Sequence, residues 1–376
     1  MGTEVKQSEA SPKQDGSCDD DDFLLRVMSR LFSQQPQPVP IVWTRSTYHG
    51  VPGIEYFDAH HPDDIHRFIA SRGSTHSGDS APLLALRTTE AACGLLRDFE
   101  NIPFPYGVLW MRNANNGPLS DEPWVQGLNF TIDEHLASCN RYLNESWTRI
   151  RVLQWLNHEP CVAIWVNQRT FTTHYKLRSI PIGIGDSHYD IILNRFGLED
   201  IFSVINRTAS QKGRCRKKLL GINNSWHVMR EFVFKPVNRN FGYTLTNSYQ
   251  ELTKPWTNEE VAEAQIVFRD EWINSKFCLS PRGLGTDTHR HWEAFLTGCI
   301  PVMESSPINN MFRGLPAVFV DDWGQLTPEL LEAEWERLRI KPVTTPERLT
   351  LQWWLDAMKR TLQLKSGRGT PWWLEM

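Results

Sequence analysis

At 376 residues, with a 40% hydrophobic share and sixteen tryptophans, the chain has the length and apolar content for two buried cores. A formal net charge of -4 and a pI near 6.3 supply no basic field for a polyanion, which excludes nucleic acid as the main partner. No apolar run reaches the length of a membrane span, and no basic-then-apolar leader opens the chain.

Seven cysteines, an odd count without CxxC spacing, suit reduced thiols better than a disulfide framework. The expected address is cytoplasmic. Four N-x-S/T sequons, at Asn129, Asn144, Asn206 and Asn223, pull the other way and leave a Golgi lumen open if a native anchor is missing.

Residues 1–20 are polar, the acidic run 19–22 follows, and neither can bury a core, so this tail is expected to be disordered. A short amphipathic helix is predicted over 23–32 and a Pro/Gln spacer over 34–40, so the folded part is expected to begin at Ile41. Ile41-Val42-Trp43 reads as a first strand, with 82–86 and 106–110 as further apolar runs. His60, His61, Asp63, Asp64 and His66 cluster like metal ligands. The same residues read as a helix N-terminus with its acids in the first turn, and no zinc-like spacing completes a site, so no metal is expected.

Residues 113–124 form a polar Gly/Pro loop, and 130–142 are helical in pattern. Asp133, Glu134 and His135 put three titratable groups together there; Thr131 as N-cap with Glu134 at N3 accounts for the same residues as a capping box. A helix over 149–156, a strand over 161–166 and a glycine-bounded strand ending in Ile180-Pro181-Ile182-Gly183-Ile184-Gly185 follow. The basic run 214–218 reads as a solvated face leading into an apolar strand. A helix carrying Arg230 is predicted over 226–233, and another, with a capping-box start, over 256–274.

The stretch 276–323 reads as strand, loop, helix, strand, short helix, strand, which implies parallel pairing. Ligands of such sheets sit beyond the carboxyl ends of the strands, so the loop 280–288 is the prime candidate site. Ser280 opens it. Gly283 and Gly285 permit positive φ and a close backbone approach, and Asp287 is placed to cap the helix starting near Thr288. Such a helix start suits a phosphate or diphosphate, with Arg282 and Arg290 flanking it and Glu293 one turn beyond Arg290. An ordinary surface pair between Arg290 and Glu293 fits the same spacing. Further on, Thr327-Pro328-Glu329 opens a helix, and a closing helix runs over 352–364.

The block KFCLSPRGLGTDTHRHWEAFLTGCIPVMESSP, followed by GLPAVFVDDW, resembles the donor-binding region of exostosin-like glycosyltransferases of GT-B fold. It is similar also to the ribitol xylosyltransferase group, through its R-x-WEA and G-x-IP elements. The resemblance implies an α/β, GT-B type fold: two Rossmann-like domains facing across a cleft, with the C-terminal helix crossing back. It implies an acceptor-side domain over 41–205, a nucleotide-sugar domain over 206–340 and a closing helix and tail over 341–376, after a tail and short helix over 1–40. Glu293 becomes the ribose ligand, and Arg282, Arg290 and Arg230 become phosphate or donor contacts. The IPIGI segment is similar to the interdomain crossover.

The implied reaction is inverting transfer from a UDP-sugar to a glycan or other hydroxyl acceptor, without an essential metal or cofactor. Asp133, Glu134 or His135 would take the acceptor proton. Two other classes remain: a non-catalytic carbohydrate-binding protein, suggested by the tryptophans, and a dinucleotide oxidoreductase, suggested by Gly283-Leu284-Gly285. The latter lacks the third glycine, which falls at Thr288, and has only Glu304 at the next strand end.

Overall fold

A computed structural model describes residues 23–32, 55–71, 81–110, 132–166, 174–184, 216–222, 231–243, 271–283, 285–341 and 343–363. Residues 41–43, 113–124, Thr131, Gly185, Arg230 and most of the helix expected over 256–274 lie outside them.

The protein is mixed α/β with two parallel sheets. The first joins β1 (Tyr56–Ala59), β2 (Leu83–Leu86), β3 (Tyr106–Trp110), β4 (Cys161–Val166) and β5 (Leu177–Ser179) in chain order. The second joins β6 (Lys218–Gly221), β7 (Ser275–Leu279), β8 (Ile300–Glu304) and β9 (Val318–Val320), also in chain order. Among the described strands neither sheet reverses its order, the feature that would mark a doubly wound switch point.

The period-two alternation of strand side chains decides what covers each face of the first sheet. Leu83, Ala85, Leu109, Ala163 and Trp165 point into the large core shared with the second sheet. Leu84, Leu86, Val108, Trp110, Ile164 and Val166 point into a separate core on the other side. That second core is roofed by α2 (Asp63–Ala70), α3 (Thr89–Asp98), α4 (Ile132–Leu143) and α5 (Arg149–Asn157). Both faces of β2, β3 and β4 are therefore apolar, as buried parallel strands require.

The second sheet carries α6 (Glu231–Phe241), α7 (His289–Leu296) and α8 (Pro328–Ile340), and α9 (Leu351–Gln363) closes the fold. Thr327 caps α8 by accepting from the Leu330 N–H, and Pro328 fills its first position. Along α9, Leu351, Trp354, Leu355, Met358 and Leu362 recur at helical spacing and enter the shared core. The helix lies across both sheets: Trp354 meets Trp292 of α7 edge-on, while the Leu362 carbonyl accepts from the Ala81 N–H beside β2. Gly107 of β3 permits this approach, since a Cβ there would lie 2.5 Å from Leu362 Cδ2.

Two sequence expectations need correction. The helix α1 (Phe23–Phe32) forms where periodicity placed it, but it does not precede the fold. Leu24, Met28 and Leu31, spaced to share one face, are buried in the common core, and Phe23 packs on Trp335 of α8. Folded structure thus includes residues before Ile41. The basic run is also not all solvated: Lys217 and Lys218 are exposed, whereas Arg216 is buried and donates to the carbonyls of Trp272, Ser275 and Thr297.

The acids at 63 and 64 open a helix, as their position implied. The Asp64 carboxylate accepts the N–H groups of His60 and His61 and pairs with Arg67. Burial alone would raise its pKa, but the Arg67 bond and the two N–H donors outweigh it and hold the group at about 2. A depressed folded pKa contributes stability above the ordinary value near 3.8 and loses it as pH falls toward 2. Asp64→Ala is expected to cost roughly 1–2 kcal/mol at pH 7 and almost nothing at pH 2, read by urea melts at the two pH values.

Candidate functional site

Between β7 and α7 runs the loop that the sequence marked. Thr288, not Asp287, is the helix N-cap, in extended backbone, and His291 at N3 accepts from the Thr288 N–H. The far end of α7 closes as a Schellman turn: Gly298, at φ +68°, donates to Phe295 and Cys299 donates to Ala294. Gly283 and Gly285 are buried, and Gly283 donates to the Gly285 carbonyl, but neither takes a positive φ. Neither glycine therefore serves a left-handed turn.

The Asp287 carboxylate, freed from capping, is a buried junction. One oxygen accepts from Trp292 Nε1 at 3.0 Å and lies 3.1 Å from His291 Nδ1; the other accepts from the Ile182 N–H at 2.7 Å. The His291 Nε2 faces the Ser280 carbonyl at 3.0 Å. Next to this, His289 Nδ1 approaches the Gly183 carbonyl at 2.7 Å. The segment leaving the carboxyl end of β5 is thereby tied to the loop leaving the carboxyl end of β7. The IPIGI stretch and the SPRGLGTDTH stretch, suspected separately, meet.

Around this junction the donor candidates divide by environment. Ser280, Gly283 and Gly285 are buried, and Arg282 and Thr288 are half-buried. Glu293 is 7% exposed, far from a solvated surface pair. Desolvation pulls the Arg290 pKa down to about 10, and the Glu293 carboxylate opposes that pull. Arg290 thus stays charged at neutral pH beside a buried carboxylate. Trp292, stacked on Phe312 at 4.7 Å, anchors the opposite face of α7 in the core.

The three base candidates stand elsewhere, on α4 over the other face of the first sheet. Asp133 is exposed and forms a two-pronged pair with Arg149, which lowers its pKa. His135 is 1% exposed, edge-on to Trp110 and 3.5 Å from Cys139 Sγ. Neither arrangement suits proton abstraction from an incoming hydroxyl. The side chain of Glu134 and all of Arg230 lie outside the described residues.

Sequence reasoning missed the cross-links. Asp287 and His291 stand four apart at a helix start, the spacing that lets them meet. It also expected reduced thiols, whereas four of the five described cysteines form two disulfides, Cys93–Cys139 and Cys278–Cys299. Neighbouring strands of one βαβ unit bring Cys278 and Cys299 together, a signal that CxxC spacing cannot carry. Cys93, His135 and Cys139 have metal-ligand proximity, but their two sulfurs are spent on each other. Glu304, the acid a dinucleotide site would use, accepts from Trp323 Nε1 at 2.6 Å.

No family model and no curated protein matches the chain. None of the described helices is long and apolar enough to cross a membrane.

Proposed function

We propose that this protein is a glycosyltransferase of GT-B type that binds a nucleotide-sugar, a UDP-sugar, in the loop between β7 and α7. The observation that carries the reading is the buried Glu293 one helical turn from the half-buried Arg290 at the start of α7, near enough to act on its charge. A carboxylate kept from water is a strong acceptor for vicinal ribose hydroxyls, and arginines match a diphosphate in charge and geometry. Ser280, Arg282, Gly283, Gly285 and Thr288 complete the donor-binding loop, with Arg230 as a further phosphate contact. The tie between 182–183 and 287–289 holds this loop against the first half, which receives the glycan or other hydroxyl acceptor.

Inverting transfer then needs no metal. Attack at the anomeric carbon expels the diphosphate, and Arg282 and Arg290 stabilise the charge that develops. Asp133 and His135 stand on the face of the first sheet away from the shared core, so the search for the base starts nearer the donor loop.

The reading is tested by thermal melts against UDP, UDP-sugars and NADH. Ligand at about a hundred times its Kd stabilises by roughly 2.7 kcal/mol, so UDP is expected to raise the melting point by several degrees while NADH leaves it unmoved. Absence of a UDP shift, or an equal shift with NADH, removes the proposal. Release of free sugar from a UDP-sugar without acceptor separates an enzyme from a carbohydrate-binding module.

A further inference from the structure

We propose that Asn144 is an N-linked glycan acceptor and that the chain matures in an oxidising compartment. The inference is independent of the glycosyltransferase reading. Asn144, Glu145 and Ser146 form an intact sequon just past the end of α4, and all three are exposed. Asn144 stands at φ +54°, a conformation asparagine tolerates, which turns the chain outward at this point. Among the described residues no hydrogen bond engages its carboxamide, so the nitrogen is available.

The turn itself is held. Glu145 donates to the Asn140 carbonyl, and the Asn140 side chain clamps both the N–H and the carbonyl of Trp147 at 2.8 Å. The acceptor is therefore presented on a fixed turn beyond which the chain re-enters structure. This α4–α5 hairpin covers the side of the first sheet away from the core shared with β7 and α7, so a glycan there leaves the donor loop unobstructed. The hairpin also exposes Tyr142, Ile150 and Leu153, at 55%, 64% and 52%, apolar surface that a hydrated glycan would shield.

The disulfides supply the second, independent observation. One lies in each half of the molecule, with Cα separations of 5.1 and 5.9 Å and buried cysteines, and such cross-links persist where thiols are oxidised. N-glycan addition belongs to the same environment. In the transfer the Asn144 nitrogen bonds to the anomeric carbon of a lipid-diphosphate-linked oligosaccharide. The anomeric C–O bond breaks, the lipid diphosphate leaves, and the amide proton is released.

The test is peptide mapping of the full-length protein isolated from the cells that make it. Peptide-N-glycosidase in heavy-oxygen water is expected to convert Asn144 to labelled aspartate, and an unreduced digest to yield the two disulfide-linked peptide pairs. Asn144→Gln and, separately, Ser146→Ala should each lose one glycan's mobility shift with the melting point retained. The second variant keeps the residue at positive φ, so a loss confined to the first would reflect strain and count against the site. An unmodified Asn144, or Cys93 and Cys278 alkylated before reduction, overturns the proposal.

Discussion

Replacing Glu293 by alanine is expected to erase the UDP-dependent melting shift. The residue is 7% exposed, so the hydroxyl contacts proposed for its carboxylate would be largely desolvated and charge-assisted, each of the strong kind. Losing them should weaken the donor by about 30- to 150-fold, equivalent to roughly 2–3 kcal/mol. Glu293→Gln, which keeps the volume, should retain a measurable but weaker shift, because an amide oxygen still accepts. Arg290→Lys tests the other partner. With Arg290 charged up to about pH 10, donor binding should hold across the neutral range and fade only at alkaline pH. An undiminished UDP shift in Glu293→Ala, with the protein folded, takes Glu293 out of the site.

Trp354→Ala should be among the most damaging single core changes outside the site. Trp354 is 2% exposed, meets Trp292 edge-on and donates from Nε1 to the Arg348 carbonyl at 2.9 Å. Truncating a buried tryptophan costs about 3–5 kcal/mol, before the orphaned carbonyl is added. A melting point lower by roughly 6–10 °C is the expected result for a chain of this size. Because α9 lies across both sheets, the loss should appear as one cooperative transition and not as the early melting of one half. Two resolved transitions in calorimetry would show that α9 does not couple them.

Much of this architecture was legible because it rests on local periodicity. The spacing of Leu24, Met28 and Leu31, the Thr327-Pro328 start of α8 and the Gly298 stop of α7 each act within a few residues. What was not legible depends on separation along the chain. Asp287 reaches Ile182 across 105 residues, and Arg216 reaches Thr297 across 81; nothing near either residue announces its partner. The arginine in the basic run looked solvated because charge runs usually are. The disulfides were hidden for the same reason: strand pairing brings Cys278 to Cys299, and the packing of α3 on α4 brings Cys93 to Cys139. At the site, the residue types of the β7–α7 loop pointed to an anion, while the burial of Glu293 needed the packed helix to become visible. The helix carrying Asp133 and His135 was legible as a helix, but the face of the sheet that it covers was not.

The buried face of α1 also governs how the protein comes into being. Its neighbour Trp335 lies some three hundred residues downstream, so during synthesis this helix leaves the ribosome long before its resting place exists. Leu24, Met28 and Leu31 wait for α7 and the turn at 346–349, the elements that α1 contacts, to emerge. The native cover of α1 therefore forms late, after an interval in which a holding chaperone has an obvious grip.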